Sequence, residues 1–181
     1  MKNVIVVLSA GFEELEAVTV IDVLRRANIR VEVVGLRDTQ LTGSRGITMI
    51  CDEVFDYYSC LDYDGVVMVG GMDNALNLSQ EEEVLKLLNE YMNRGKLVAG
   101  ICATPSLVFS EAGILKDKTA TCYPSDSLIN HLDCEYVDKP CVVCENLITS
   151  QSPDTALEFV LTIISYLGYD AGAVYSDLQG R

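Results

Sequence analysis

Residues 3–28, NVIVVLSAGFEELEAVTVIDVLRRAN, decide the fold. The opening NVIVVLS is an almost unbroken apolar run, the pattern of a strand buried on both faces, as the strands of a parallel sheet are. The period then changes. Leu15, Val18, Ile21, Val23 and Leu24 recur at helical spacing, with acids ahead of them and Arg25 and Arg26 behind, the charge order a helix dipole favours. Asn28 is the expected stop. A buried strand feeding an amphipathic helix is one βα unit, so a parallel sheet is expected.

The unit recurs along the chain. RVEVVGL (30–36), DYDGVVMVGG (62–71) and KLVAGIC (96–102) read as further strands. SQEEEVLKLLNEYMNRG (79–95) reads as a helix, with a Ser79-x-x-Glu82 capping signal and Gly95 at its end. TPSLVFSEAG (104–113) reads as another, with Pro105 in its first turn and Gly113 at its stop. GSRGITMICDEVF (43–55) suggests a turn and a peripheral pair of strands, and TATCYPS, CEYVD and PCVVCENLITSQ supply short strands before the amphipathic stretch 152–168. YSDLQGR (175–181) reads as a surface tail. The expected fold is α/β, a doubly wound sandwich with a mostly parallel central sheet and helices on both faces, formed by one domain over residues 1–181.

Composition narrows the functions. A formal charge of −14 repels phosphate backbones and anionic lipid, so neither nucleic acid nor membrane is an expected partner. No stretch approaches the roughly 20 apolar residues of a membrane span, and the N-terminus reads as a strand rather than a signal segment; a cytoplasmic location is expected. Seven cysteines, an odd number without paired spacing, point to reduced thiols. No Gly-x-Gly-x-x-Gly or P-loop occurs, and no cofactor is expected.

In an open α/β sheet the ligand crevice lies at the carboxyl ends of the strands, where SAGFEE, GGMDN and CATP fall. Cys102 stands at a strand-to-helix junction, where unpaired N–H groups favour negative charge and lower a thiol's pKa. Gly100 and Ala103 allow a sharp turn there, and the N–H groups of Ala103 and Gly71 are candidate oxyanion donors. The competing reading is that Cys102 is a small buried hydrophobe. Glu13, Glu14 and Glu16 suit the helix dipole as exposed first-turn acids; Glu16, flanked by Leu15 and Val18, is the one that could face the crevice. Beside a thiolate it would have to be protonated, and burial would keep it so. His131, the single histidine, with Asp133 two residues on, tempts a triad but also reads as solvated surface. The Cys141–Cys144 pair has metal-ligand spacing, yet in a strand positions i and i+3 face opposite sides, so no metal site is expected.

Taken together, SAGFEELEAVTVIDVLRRA, GSRG, VVMVGGMDNALNLSQ, VAGICATPSLVFSEAGIL and LITSQSPDTALEF, in this order and spacing, resemble the ThiJ/PfpI superfamily, in the branch of the parkinsonism-associated protein deglycase and its bacterial relatives. The resemblance covers almost the whole chain. It implies a flavodoxin-like sandwich, usually a homodimer, with the reactive thiol at Cys102, its protonated carboxyl partner at Glu16 and backbone oxyanion donors at Gly71 and Ala103. It places at Arg45 an arginine that approaches the site, in several members from the partner subunit, and at Thr104 a position often occupied by glycine. Two departures stand out. The family histidine before a proline is here Tyr123 before Pro124, and the family's GPGT is SPDT, with Ser152 and Asp154 in place of glycines.

The resemblance implies Cys102 chemistry of the deglycase or glyoxalase III-like type on 2-oxoaldehydes such as methylglyoxal, or on their early adducts with amines or thiols. The missing histidine favours an alternative, a redox-responsive protective protein in which Cys102 is oxidised to sulfinate. A third reading is a catalytically silent chaperone or binding module.

Overall fold

The computed structural model describes residues 1–181. Its main strands are β1 Asn3–Leu8, β2 Arg30–Gly35, β5 Glu53–Val54, β6 Gly65–Met68, β7 Leu97–Ile101, β10 Cys141–Cys144 and β11 Leu147–Ser150. They form one seven-stranded sheet in the order β10-β11-β7-β6-β1-β2-β5. Every neighbouring pair is parallel except β10 with β11. The continuous apolar run of β1 is explained by what covers it. Val4, Val6 and Leu8 join a core with α1 (Glu14–Arg26), α5 (Ala156–Tyr166) and α6 (Ala171–Leu178), while Ile5 and Val7 join one with α2 (Met72–Ser79) and α3 (Glu82–Asn93). Alternate side chains thus reach opposite cores, each burying about 1.5–3 kcal/mol of transfer free energy. This is the expected doubly wound sandwich.

Two smaller features flank it. β3 (Gln40–Thr42) and β4 (Thr48–Ile50) form an antiparallel hairpin around GSRG. β8 (Thr119–Ala120) and β9 (Glu135–Tyr136) pair in parallel, with α4 (Asp126–His131) between them in sequence. Asn28, Gly95 and Gly113 end their helices with φ of 57°, 65° and 69°, the left-handed geometry of a helix stop.

Three expectations change. Ser79 does not cap α3: it closes α2, and its hydroxyl donates to Leu76 O at 2.9 Å, because GGMDN opens a helix of its own. Tyr175–Leu178 is not a tail but the second half of α6, which Asp170 caps through the Ala173 amide and Val174 anchors in the core. The stretch after Cys102 is helical but widened, with an underwound π-helical turn at Pro105–Phe109. No helix is long and apolar enough to cross a membrane.

Candidate functional site

From β1 the sheet grows toward β2 on one side and β6 on the other, and such a switch point opens a crevice at the strands' carboxyl ends. The three loops named from sequence meet there. The Glu13 amide donates to Gly70 O at 3.0 Å. Fully buried Asn74 links the same two loops: its Oδ1 accepts from the Ser9 amide at 2.6 Å and its Nδ2 donates to Val69 O and Gly70 O at 2.9 and 3.1 Å. Sequence reasoning passed over Asn74; the signal was an amide side chain just after a glycine pair.

Cys102 follows β7 directly and has φ 65°, a strained value for a residue with a side chain. Its backbone is pinned on both sides. The Cys102 amide donates to Ser150 O at 3.0 Å, and its carbonyl accepts from the Tyr123 amide at 2.8 Å. Gly70 leaves the room the sulfur needs: a Cβ there would fall 2.4 Å from Cys102 Cβ, 2.8 Å from its Sγ and 2.8 Å from Glu16 Oε2. Gly71 turns with φ 92°, a Cβ on it would meet Gly11 O at 2.1 Å, and its N–H and that of Ala103 lie close enough to the Cys102 sulfur to pull its pKa down. Gly100 serves a different end from the one expected. The sharp turn is made by Cys102 itself, and a Cβ at Gly100 would meet the Phe109 ring at 2.5 Å, so this glycine admits the aromatic ring under β7. Thr104 is buried and points inward, its hydroxyl donating to Val69 O at 2.7 Å, which ties the start of the helical turn to the end of β6.

Glu16 is wholly buried, in the first turn of α1. Its Oε2 accepts from the Gly70 amide at 2.6 Å, while Oε1 has no hydrogen-bond partner. Burial pushes its pKa up to about 8, helped by the charge of Glu13 and opposed by the Gly70 amide and Cys102. The carboxyl is therefore protonated at neutral pH, with Oε1 free to carry the proton. The expected lowering of the Cys102 pKa is reversed: burial, then the nearby Glu16 charge, push the thiol up against the pull of the Gly71 and Ala103 amides. The two groups stand too close for both to ionise. With Glu16 protonated, its repulsion vanishes, and burial of the thiol is left opposed by the two amides.

The other candidates lie around this pair. Arg45 sits exposed on the β3–β4 hairpin and makes no ion pair within the chain. The hairpin is held by Glu14, which is buried rather than an exposed first-turn acid. Its Oε1 accepts from the amides of Arg45 and Ile47 at 2.6 and 3.3 Å, and its Oε2 from the Ser44 hydroxyl at 3.1 Å. Burial raises its pKa, but these donors outweigh it and hold the carboxylate below its ordinary range. Glu13 instead caps α1, accepting from the Glu16 amide at 2.8 Å. Tyr123 touches the elbow through its backbone alone; its side chain and Pro124 are exposed. Ser152 forms a capping box with Thr155 and donates to the Asp154 carboxylate. His131 stands exposed at the end of α4. Cys141 packs toward α5 while Cys144 lies near Cys134, and no group of three His, Cys, Asp or Glu side chains converges to hold a metal ion.

Residues 2–166 match the DJ-1/PfpI family. The chain belongs to that family. Protein dj-1beta of Drosophila melanogaster is 37% identical over 170 residues, 92% of this chain and 89% of its own length. Protein DJ-1 homolog B of Arabidopsis thaliana is 35% identical over 173 residues, 94% of this chain, which spans only 39% of that plant protein. Among solved structures, Toxoplasma gondii DJ-1, oxidized, superposes with a TM-score of 0.91 at 28% identity, over 99% of this chain and 98% of that one. The DJ-1/PfpI assignment and the flavodoxin-like sandwich therefore agree.

Proposed function

We propose that this chain is a cysteine-dependent protein of the deglycase or glyoxalase III-like type, acting on 2-oxoaldehydes such as methylglyoxal or on their early adducts. The observation that carries the reading is the buried, protonated Glu16 packed with Cys102 under two aimed amides. The sulfur adds to the aldehyde carbon to give a hemithioacetal, whose oxygen takes up the proton. Glu16 then carries the proton from the carbon bearing sulfur to the neighbouring carbonyl carbon, so that the first is oxidised to a thioester as the second is reduced to an alcohol; water cleaves the thioester, and a 2-hydroxy acid leaves with the thiol restored. The test is lactate production from methylglyoxal by the wild-type chain and by Cys102→Ala and Glu16→Gln. A rate unchanged in Cys102→Ala rejects the reading.

A second reading is supported by the exposed Tyr123 side chain standing where the family has a histidine, which leaves the crevice without an imidazole base. Here Cys102 is oxidised to a sulfinate that the Gly71 and Ala103 amides and the Glu16 proton stabilise. A solved relative is described as oxidized. Mass spectrometry after mild peroxide distinguishes the two: two added oxygens on Cys102 with no lactate production favour the second. We also propose a homodimer, since Leu15 and Val18 on α1 and Ile47 on the neighbouring hairpin are apolar and exposed. Sedimentation of the intact chain checks this.

A further inference from the structure

Outside the crevice, three free thiols gather at one edge of the sheet: Cys122 after β8, Cys134 before β9, and Cys144 at the end of β10. Backbone register brings two of them to the same lysine. β8 and β9 pair Thr119 with Glu135, and the Glu135 amide donates to Lys118 O at 3.3 Å, so Lys118 lies beside Cys134. The Lys118 ammonium reaches Glu145, the residue after Cys144, at 2.6 Å. One step along, the Thr121 amide donates to Thr149 Oγ1 at 2.9 Å, and Thr149 is paired with Val142, so β8 runs along the β10–β11 hairpin. Cys134 thus neighbours Lys118, whose ammonium pairs with the residue after Cys144, and Cys144 lies near enough for its charge to be felt at Cys134.

Both thiols are partly exposed, whereas Cys122 is sealed from solvent. Both also sit where regular structure ends. Cys134 lies in the bend between α4 and β9, and Cys144 opens a turn whose next residue, Glu145, has φ 57°. Burial and the neighbouring Asp133 and Glu135 raise the pKa of the Cys134 thiol, so the reaction runs through the fraction of thiol that ionises.

We propose that Cys134 and Cys144 form a reversible disulfide when a hydroperoxide is present, a clasp that joins the β9 segment to the sheet-edge hairpin without using Cys102. One thiolate attacks the peroxide, its O–O bond breaks, and an alcohol (or water) leaves as the sulfur becomes a sulfenic acid. The second thiolate displaces hydroxide from that sulfur, which departs as water once protonated, and the S–S bond forms. In sum, two thiols and one hydroperoxide give one disulfide, one alcohol and one water. Because β8 leads directly into Tyr123, whose amide holds the Cys102 carbonyl, the clasp stiffens one wall of the crevice.

The folded Cys102→Ser chain, treated with hydrogen peroxide, quenched by alkylation, digested and analysed by mass spectrometry, tests this independently of the proposed activity. The expected product is a peptide pair linked through Cys134 and Cys144, about 2 Da below the sum of the two peptides and separated by dithiothreitol. The additional change Cys144→Ser should abolish the link and leave Cys134 open to alkylation. The proposal is overturned if Cys134 stays fully alkylatable after peroxide, if it links to Cys122 instead, or if either thiol goes singly to a sulfinic acid.

Discussion

Glu16 and Cys102 set the pH behaviour of this chain. A carboxyl whose folded pKa is raised from 4.5 to about 8 binds a proton that the unfolded chain has already released over that window. Its contribution therefore favours the folded state below about pH 4.5 and is lost as pH rises toward 8. Glu16→Gln removes this titration while keeping an acceptor for the Gly70 amide. Relative to wild type, the variant should gain on the order of 3 kcal/mol between pH 5 and pH 8, read by denaturant unfolding at both values. A wild-type profile as flat as the variant's would contradict the assignment. Cys102 and Glu16 could be found in the sequence because both stand at fixed points of βα units, one just past a strand and one in the first turn of a helix. Glu14 could not, because its partners lie on a hairpin remote in sequence, and Asn74 left only its place after a glycine pair, its bond to Ser9 being invisible there.

Among the elements, the β3–β4 hairpin depends on a single carboxylate. Glu14→Ala strands the amides of Arg45 and Ile47 together with the Ser44 hydroxyl, and should cost about 1–3 kcal/mol. Hydrogen exchange should quicken at residues 43–47 well before it does in β1. Helix α5 behaves differently, since Phe159, Val160, Ile163 and Ile164 are buried against the sheet. Phe159→Ala should cost about 3–5 kcal/mol, against less than about 0.5 kcal/mol for Val143→Thr on the exposed face of β10, both by thermal or urea unfolding. The strands and the long helices were legible because burial on one or two faces writes itself as period. Helix α2 was not: GGMDN looks like loop chemistry, and only the packing of Ala75 and Leu78 reveals the helix.

For the whole molecule, charge opposes compactness. The net charge of −14 is spread over 181 residues, and the ion pairs are largely exposed ones such as Arg26 with Asp22 and with Asp177. Pairs of that kind contribute about 0–1 kcal/mol each, so screening the overall repulsion should outweigh screening them. The melting temperature should rise by a few degrees between roughly 10 mM and 300 mM sodium chloride, and a fall would show that local pairs dominate. The doubly wound order was legible from the alternation of strand and helix; the antiparallel β10 was not, because CVVC reads alike in either direction. The two backbone bonds of Cys102, to Ser150 and from Tyr123, join the elbow to segments far along the chain. They clamp the backbone from which the sulfur projects, so a reagent must come to the elbow: moving the elbow toward a reagent would break bonds to two distant segments at once.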